Sequence, residues 1–303
     1  GRARSLGWAS PPDGSRCAAD CGFRIATQAA NCPSTAALGR YFARRFTDGY
    51  CGVNDSTFSL RNMQRACRTC SLHELCLPLG VAETDIDLLE KIVHRSRPLP
   101  RGKHLFREGD PFTSIFVARS GAVKSFTVDT QGNEQVIGFH LPGELLGLDG
   151  LTEGVHAASA RTLETVSVCE VPFERLEDTA RQIPALQHQL LRLMSREITK
   201  REEQLLSLGK QSPERRLAVL LLSLSVRFSQ RGYSSTRFVL PMARIDIANF
   251  LGLAAETVSR LLRRLQDTNV LAIDGRAVEI LDLAELRALA GVEAAGASGD
   301  DCR

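Results

Sequence analysis

Between Arg97 and Phe173, short runs of β-branched and aromatic residues alternate with Gly, Pro, Asp and Asn turn signals. The runs are HLFREGD, SIFVARSG, AVKSFTVDTQG, EQVIGFHLPGE and ARTLETVSVCEVP. Strands this closely spaced have only tight turns between them, so they close on one another as a compact all-β roll or barrel.

A long helix is expected next. Leu191, Met194, Ile198, Leu205 and Leu208 recur at the a and d spacing of a heptad, with Arg201 in the slot an apolar residue would fill. Two arrangements fit: a helix packed on its own domain with Arg201 reaching to water, or a parallel dimer helix with a charge in its seam. Ser212-Pro213 restarts a helix, serine as N-cap and proline at the first position, and Leu217, Leu220, Leu221 and Leu224 give it an apolar face. Phe238 to Leu240 reads as a short strand, and Asp274-Gly275 as a hairpin turn. The expected divisions are residues 1–60, a disordered extension; 61–185, a cysteine loop plus β domain; 186–210, the long helix; 211–291, the last domain; and 292–303, a frayed tail.

Arg244 to Gln266 has the register of a helix-turn-helix. Ile245, Ile247, Ala248 and Leu251 fit the first helix, with Ala248 small where two helices approach closely. Gly252 stands where the turn needs a positive φ, and Val258, Leu261 and Leu262 bury the second helix against the first. Glu256, Ser259 and Arg260, at i, i+3 and i+4, project together. From a recognition helix they can reach base edges in the major groove, arginine pairing with guanine and glutamate accepting from the cytosine amino group. Arg244, Arg263 and Arg264 are placed for phosphate, which adds affinity without sequence information. Outside this register the Glu–Arg pair is a surface ion pair worth about 0.3 kcal/mol; within it, the reading is contact with double-stranded DNA.

The chain has nine cysteines among 303 residues, and three of them, Cys67, Cys70 and Cys76, fall in CRTCSLHELC. Two thiolates separated by two residues can turn toward one metal centre, and a third arrives from the next turn of chain. Cys169, alone on a strand, reads by itself as a buried core thiol. No export-signal pattern is seen, and the longest apolar run, Leu217 to Val226, is broken by serines. A cytoplasmic location, no membrane partner and reduced thiols are therefore expected. Metal ligation, structural zinc included, and a thiol redox switch both remain open. Cys17, Cys21, Cys32 and Cys51 lie in the Gly-, Pro-, Ser- and Ala-rich stretch before Met63, the first methionine, and read as incidental. A net charge of +3 neither demands nor excludes nucleic acid. There is no Ser/His/Asp constellation, no phosphate-binding glycine loop and no His pair at metal-ligand spacing, so an enzyme is not expected; His73 reads as a solvated loop residue.

From about Cys67 to Gly291 the chain resembles the fumarate–nitrate reduction regulator (FNR) branch of the cyclic-AMP receptor protein superfamily. The resemblance rests on CRTCSLHELC, GFHLPGELLGLD, TLETVSVCEVPFE and DIANFLGLAAETVSRLLRRLQ. It implies an α+β fold: an N-terminal β-roll, a long dimerisation helix and a C-terminal winged helix-turn-helix, working as a homodimer. It also implies an oxygen-labile [4Fe–4S] cluster held by Cys67, Cys70, Cys76 and Cys169. Its Glu-x-x-Ser-Arg falls on Glu256, Ser259 and Arg260 and implies palindromic TTGAT-like half-sites. The loop of Asp129, Thr130, Gln131, Gly132 and Asn133 would touch RNA polymerase. Arg65 and Arg68 flank the cysteine loop and would offset the cluster's charge, while Leu72, Leu75 and Leu77 would restrict solvent and oxygen.

Two departures from the resemblance matter. Cyclic-nucleotide-binding relatives carry an Arg-Ser pair for the cyclic phosphate; here His156 and Ala157 occupy that region, so no cyclic nucleotide is expected despite Gly143-Glu144. FNR members often have Asp in the dimer seam where this chain has Arg201; the sign is reversed, yet like charges still face each other. The resulting expectation is an activating transcription regulator that dimerises at low oxygen.

Overall fold

The computed structural model describes residues 67–292. The expectations for residues 1–60, Cys17, Cys21, Cys32, Cys51, Met63, Arg65 and the tail from 293 lie outside the described residues, as does the side chain of Leu208.

The β-rich region forms two four-stranded antiparallel sheets. One is ordered β1 (His94–Arg95), β8 (Ser167–Pro172), β3 (Ser114–Ser120), β6 (Leu145–Leu146); the other β2 (His104–Phe106), β7 (Ser159–Thr162), β4 (Val123–Val128), β5 (Glu134–His140). The run ARTLETVSVCEVP is two strands in different sheets, a correction to its reading as one segment. Leu163 N donates to Ala122 O, and Leu99 and Val166 form an isolated bridge, so the chain crosses between sheets there. Gly121 makes the tight β3–β4 turn at φ +73, where a Cβ would lie 2.5 Å from Thr165 O.

Strand alternation decides which residues meet. On β3, Ala118 and Phe116 face the inter-sheet core with Phe106, Val123 and Val168. Ile115 and Val117 point the other way, to a cluster shared with three helices. On β8, Val168 faces inward, whereas Cys169 and Val171 join the helical side. The helices are α1 (Glu83–Ile92), α2 (Phe173–Gln182) and α3 (Pro184–Lys210). Sequence reading left α1, α2 and the last helix, α7 (Leu283–Ala290), unassigned. Each is short, and short helices draw their stability from packing more than from propensity.

After α3, Ser212 caps α4 (Pro213–Ser229) by accepting from Arg215 N. Leu217, Leu221 and Leu224 are fully buried against α5 (Arg244–Leu251), α6 (Ala255–Asp267), α7 and a sheet ordered β10 (Leu271–Asp274), β11 (Ala277–Ile280), β9 (Arg237–Val239). This is a helix-turn-helix with a β wing. Phe139 of the roll packs against Phe250 of α5, and polar contacts flank that apolar one. The buried Lys124 on β4 lies 2.7 Å from Asp246 of α5 and 2.8 Å from Glu134. Asn249 of α5 accepts from Val136 N and donates to Glu134 O, so it borders strand β5 like a short backbone mimic.

Candidate functional site

Cys67 and Cys70 sit at a one-turn 3-10 helix, Cys67–Thr69, and Cys76 closes a second, His73–Leu75. The loop folds back on itself through Cys70 N to Cys67 O and His73 N to Cys70 O bonds. The strand alternation described above turns Cys169 toward this loop. All four cysteines are half-buried and unpaired, and they line one cavity walled by Leu72, Leu77, Leu89, Val93, Val117 and Val171. No group of three or more described His, Cys, Asp or Glu side chains is gathered as one metal ion would need. Burial pushes the Cys67 and Cys169 thiols up, and Arg95 pulls both partway back. Burial pushes the Cys76 thiol far up as well, and the neighbouring sulfurs add to it.

Arg68 does not face the thiols: its guanidinium bonds Glu83 O and Asp87 on α1, 3.1 Å from the carboxylate. The cation that meets a thiol of the loop is Arg95, with Nη2 3.7 Å from Cys67 Sγ. Sequence reading missed it, since only the β1–β8 pairing of Arg95 with Cys169 brings it there. Leu72 and Leu77 are buried, whereas Leu75 is half-buried beside Gly143. From α3, Gln189 donates to Cys76 O at 3.1 Å.

Helix α3 has two faces. Leu186 and Leu193 are buried against the roll, while Leu191, Ile198 and Leu205 are 58%, 58% and 71% exposed on another side, with Met194 half-buried and Arg201 exposed. In the reader, Gly252 ends α5 at φ 63, and Leu253 N bonds Ala248 O to close the turn. Ile245 is 67% exposed, so it does not belong to the apolar side of α5. Glu256, Arg260 and Arg263 are exposed along α6; Ser259 is half-buried, its hydroxyl donating to Ala255 O. Arg244 is exposed, and Arg264 lies 3.5 Å from Glu214. The loop from Asp129 to Asn133 is wholly exposed, folded around the Asp129 carboxylate, which accepts from Gln131 N and Asn133 N. Where the resemblance would place a cyclic phosphate, His156 is buried, stacked on Phe106 and 3.5 Å from Asp149. Glu144 turns away from that place to Arg227 of α4 and to Arg231 in the turn that follows it.

Residues 96–182 match the cyclic nucleotide-binding domain family, and residues 215–289 the Crp-like helix-turn-helix domain family. The transcriptional activator protein anr of Pseudomonas aeruginosa is 49% identical over 79% of this chain and 99% of its own length. The fumarate and nitrate reduction regulatory protein of Vibrio cholerae is 43% identical over 82% of this chain and 95% of its own. Among solved structures, FixK2 from Bradyrhizobium japonicum is similar with a TM-score of 0.60 and 28% identity, over 68% of this chain and all of that one. Likeness that runs through both the β-roll and the helix-turn-helix, at such identity, means that the chain belongs to the FNR branch of the Crp/FNR family of DNA-binding transcription regulators, which are not enzymes.

Proposed function

We propose that this chain is an oxygen-responsive transcription regulator, in which a [4Fe–4S] cluster held by Cys67, Cys70, Cys76 and Cys169 favours a DNA-binding homodimer at low oxygen. The observation that carries the reading is that four thiols from two distant segments line a single apolar-walled cavity. Four cysteines are the donor set of such a cluster. A tetrahedral zinc would instead need its sulfurs about 2.3 Å from one point, and no such gathering occurs among the described residues. When bound, the cluster supplies an oxygen-labile iron–sulfur link across the cavity.

The chain's own residues do the rest. Leu72 and Leu77 keep water from the sulfurs. Gln189 joins the loop carbonyl of Cys76 to α3, so the position of the loop biases the helix whose outer face carries Leu191, Met194, Ile198, Arg201, Leu205 and Leu208. Pairing two copies through that face sets two α6 helices about 34 Å apart, one per major-groove half-site. Glu256, Ser259 and Arg260 then read palindromic TTGAT-like sites, and Arg244, Arg263 and Arg264 hold phosphate. The exposed Asp129–Asn133 loop is free to meet RNA polymerase. A buried histidine, His156, stacked on Phe106 and beside the Asp149 carboxylate, fills the place where the resemblance would put a cyclic phosphate, which supports a signal other than a cyclic nucleotide. The relative named as a transcriptional activator supports activation as the outcome.

The test is anaerobic reconstitution followed by iron and sulfide assay, visible absorbance and operator binding. The expected result is a broad visible absorbance that bleaches in air together with loss of DNA affinity, and Cys169→Ser should abolish both. A colourless zinc protein that binds DNA as a dimer in air overturns the reading. Dependence on reductant alone, with no iron bound, would assign a thiol switch instead.

A further inference from the structure

We infer that Arg95 ties the two halves of the thiol site together and sets how readily the group bound there is oxidised. The inference rests on the proposed function and assigns a positioning residue to it. Two independent contacts carry it. Strand β1 is only two residues long, and its antiparallel pairing sets Arg95 directly across from Cys169. The side chain then reaches the other segment, with Nη2 3.7 Å from Cys67 Sγ. One guanidinium thus spans a loop cysteine and a strand cysteine that no local chain connects.

The position is shielded. Arg95 is half-buried, and the cavity beside it is walled by Leu77, Leu89, Val93 and Val171. Away from bulk water a fixed cation acts more strongly on neighbouring charge than it does at the surface. Arg68, nearer to Cys67 in sequence, cannot substitute, because its guanidinium is held by Glu83 O and Asp87. Arg119 lines the cavity from β3, a second cation on the strand beside β8.

Four thiolates around iron and sulfide leave a net negative group. A nearby guanidinium and an N–H···S bond both stabilise its more electron-rich state, and hydrogen bonds to sulfur are among the factors that set iron–sulfur potentials. Oxidation by dioxygen would pass one electron from a group held there to O2, leaving superoxide, so the cation would oppose the step. Without Arg95 the electron leaves more easily, and Cys67 loses its bridge to the strand that carries Cys169.

The experiment loads wild type, Arg95→Lys, Arg95→Gln and Arg95→Leu anaerobically, and measures iron content, reduction midpoint and the rate of bleaching in air-saturated buffer. Replacing a residue that supports metal ligands typically costs about 10- to 100-fold. Arg95→Leu should therefore bleach roughly tenfold faster, with a more negative midpoint. Arg95→Lys, which keeps the charge, should recover most of the difference, and Arg95→Gln should not. A purely structural role would instead lower the melting temperature of the metal-free protein in step with bleaching, across Lys and Gln alike. If Arg95→Leu does not fold, Arg95→Lys is set against Arg95→Gln, and equal bleaching of that pair overturns the inference. Wild type that takes up no iron and sulfide overturns the proposed function with it; loaded wild type and loaded Arg95→Leu that behave alike overturn this inference alone.

Discussion

Gln189 is a polar residue inside an apolar wall. It is 1% exposed; its Nε2 donates to Cys76 O, and its Oε1 has no partner among the described residues. A buried acceptor left without a donor costs about 1–3 kcal/mol, so stability alone does not explain the amide. Gln189→Met keeps the length and removes the orphan oxygen, and Cys76 O still accepts from Leu79 N. The metal-free protein should melt at the same temperature or a few degrees higher, a gain of about 1 kcal/mol. The loaded protein should nevertheless dimerise less in anoxic sedimentation, because the loop has lost its tie to α3. A lower melting point with unchanged dimerisation would make the amide a stabiliser only. Residues of this kind are where the sequence is silent. Cys67, Cys70 and Cys76 are legible because their spacing is local. The place of Cys169 depends on which face of β8 turns outward, and that is decided by pairing with β1 and β3, so only resemblance points to it. Arg95 and Gln189 carry no local pattern at all. Arg68 shows the opposite error, in which adjacency to Cys67 suggests a role that α1 has already claimed.

Elements that each have a clear pattern can still meet in ways the pattern does not encode. The helix-turn-helix was readable from Gly252, Ala248 and Val258, and the Ser212-Pro213 start of α4 from its capping residues. That α5 would border β5 through Asn249, and that Glu144 would leave the roll for α4, was not, because both contacts join chain separated by most of a domain. Glu144 is held by Arg227 at 2.6 Å and Arg231 at 2.7 Å, with Lys200 of α3 at 3.8 Å. Burial alone raises its carboxyl, but Arg227, Lys200 and Arg231 outweigh that and bring it from 4.5 down to about 2. A carboxyl depressed in the folded state contributes stability above its unfolded value, and that contribution is lost as pH falls toward the folded one. The latch between roll and reader is therefore complete above about pH 4.5 and weakens between there and about pH 2. Its full contribution is up to about 3 kcal/mol. Urea unfolding of wild type and Glu144→Gln should differ by about that amount at pH 7 and converge as the pH nears 2. A gap that stays constant across the acid range would mean that the carboxylate charge does not hold the reader to the roll.

At the scale of the whole molecule the open question is what covers the outer face of α3. Leu191, Ile198 and Leu205 expose apolar surface on one side of a helix of 27 residues whose opposite side is already packed on its own roll. The heptad spacing marks these residues from sequence, yet spacing could not separate self-packing from dimerisation. The structure gives Leu186 and Leu193 to self-packing and leaves Leu191, Ile198 and Leu205 outward. A second copy of the chain is the occupant that the proposed function requires, and Arg201 would then meet its own image. Glu197, one turn away, is engaged by Lys200 at 2.6 Å, so its charge is already partly committed. Two guanidinium groups about 8 Å apart at an effective dielectric of 20–80 repel by roughly 0.5–2 kcal/mol. That is worth about 2- to 30-fold in a dimerisation constant, enough to hold a metal-free chain near its threshold and too little to defeat a well-packed seam. Arg201→Leu should therefore raise the dimer fraction in air by about that factor, read by sedimentation, with the difference shrinking as salt screens the charges. Arg201→Asp should dimerise no better than wild type, since like charges still face, but mixing it with wild type should give heterodimer in excess of the proportion that random pairing produces. A mixture that partitions as random pairing does would remove Arg201 from the seam, and with it the idea that a charge at the two-fold axis sets the point at which the assembly forms.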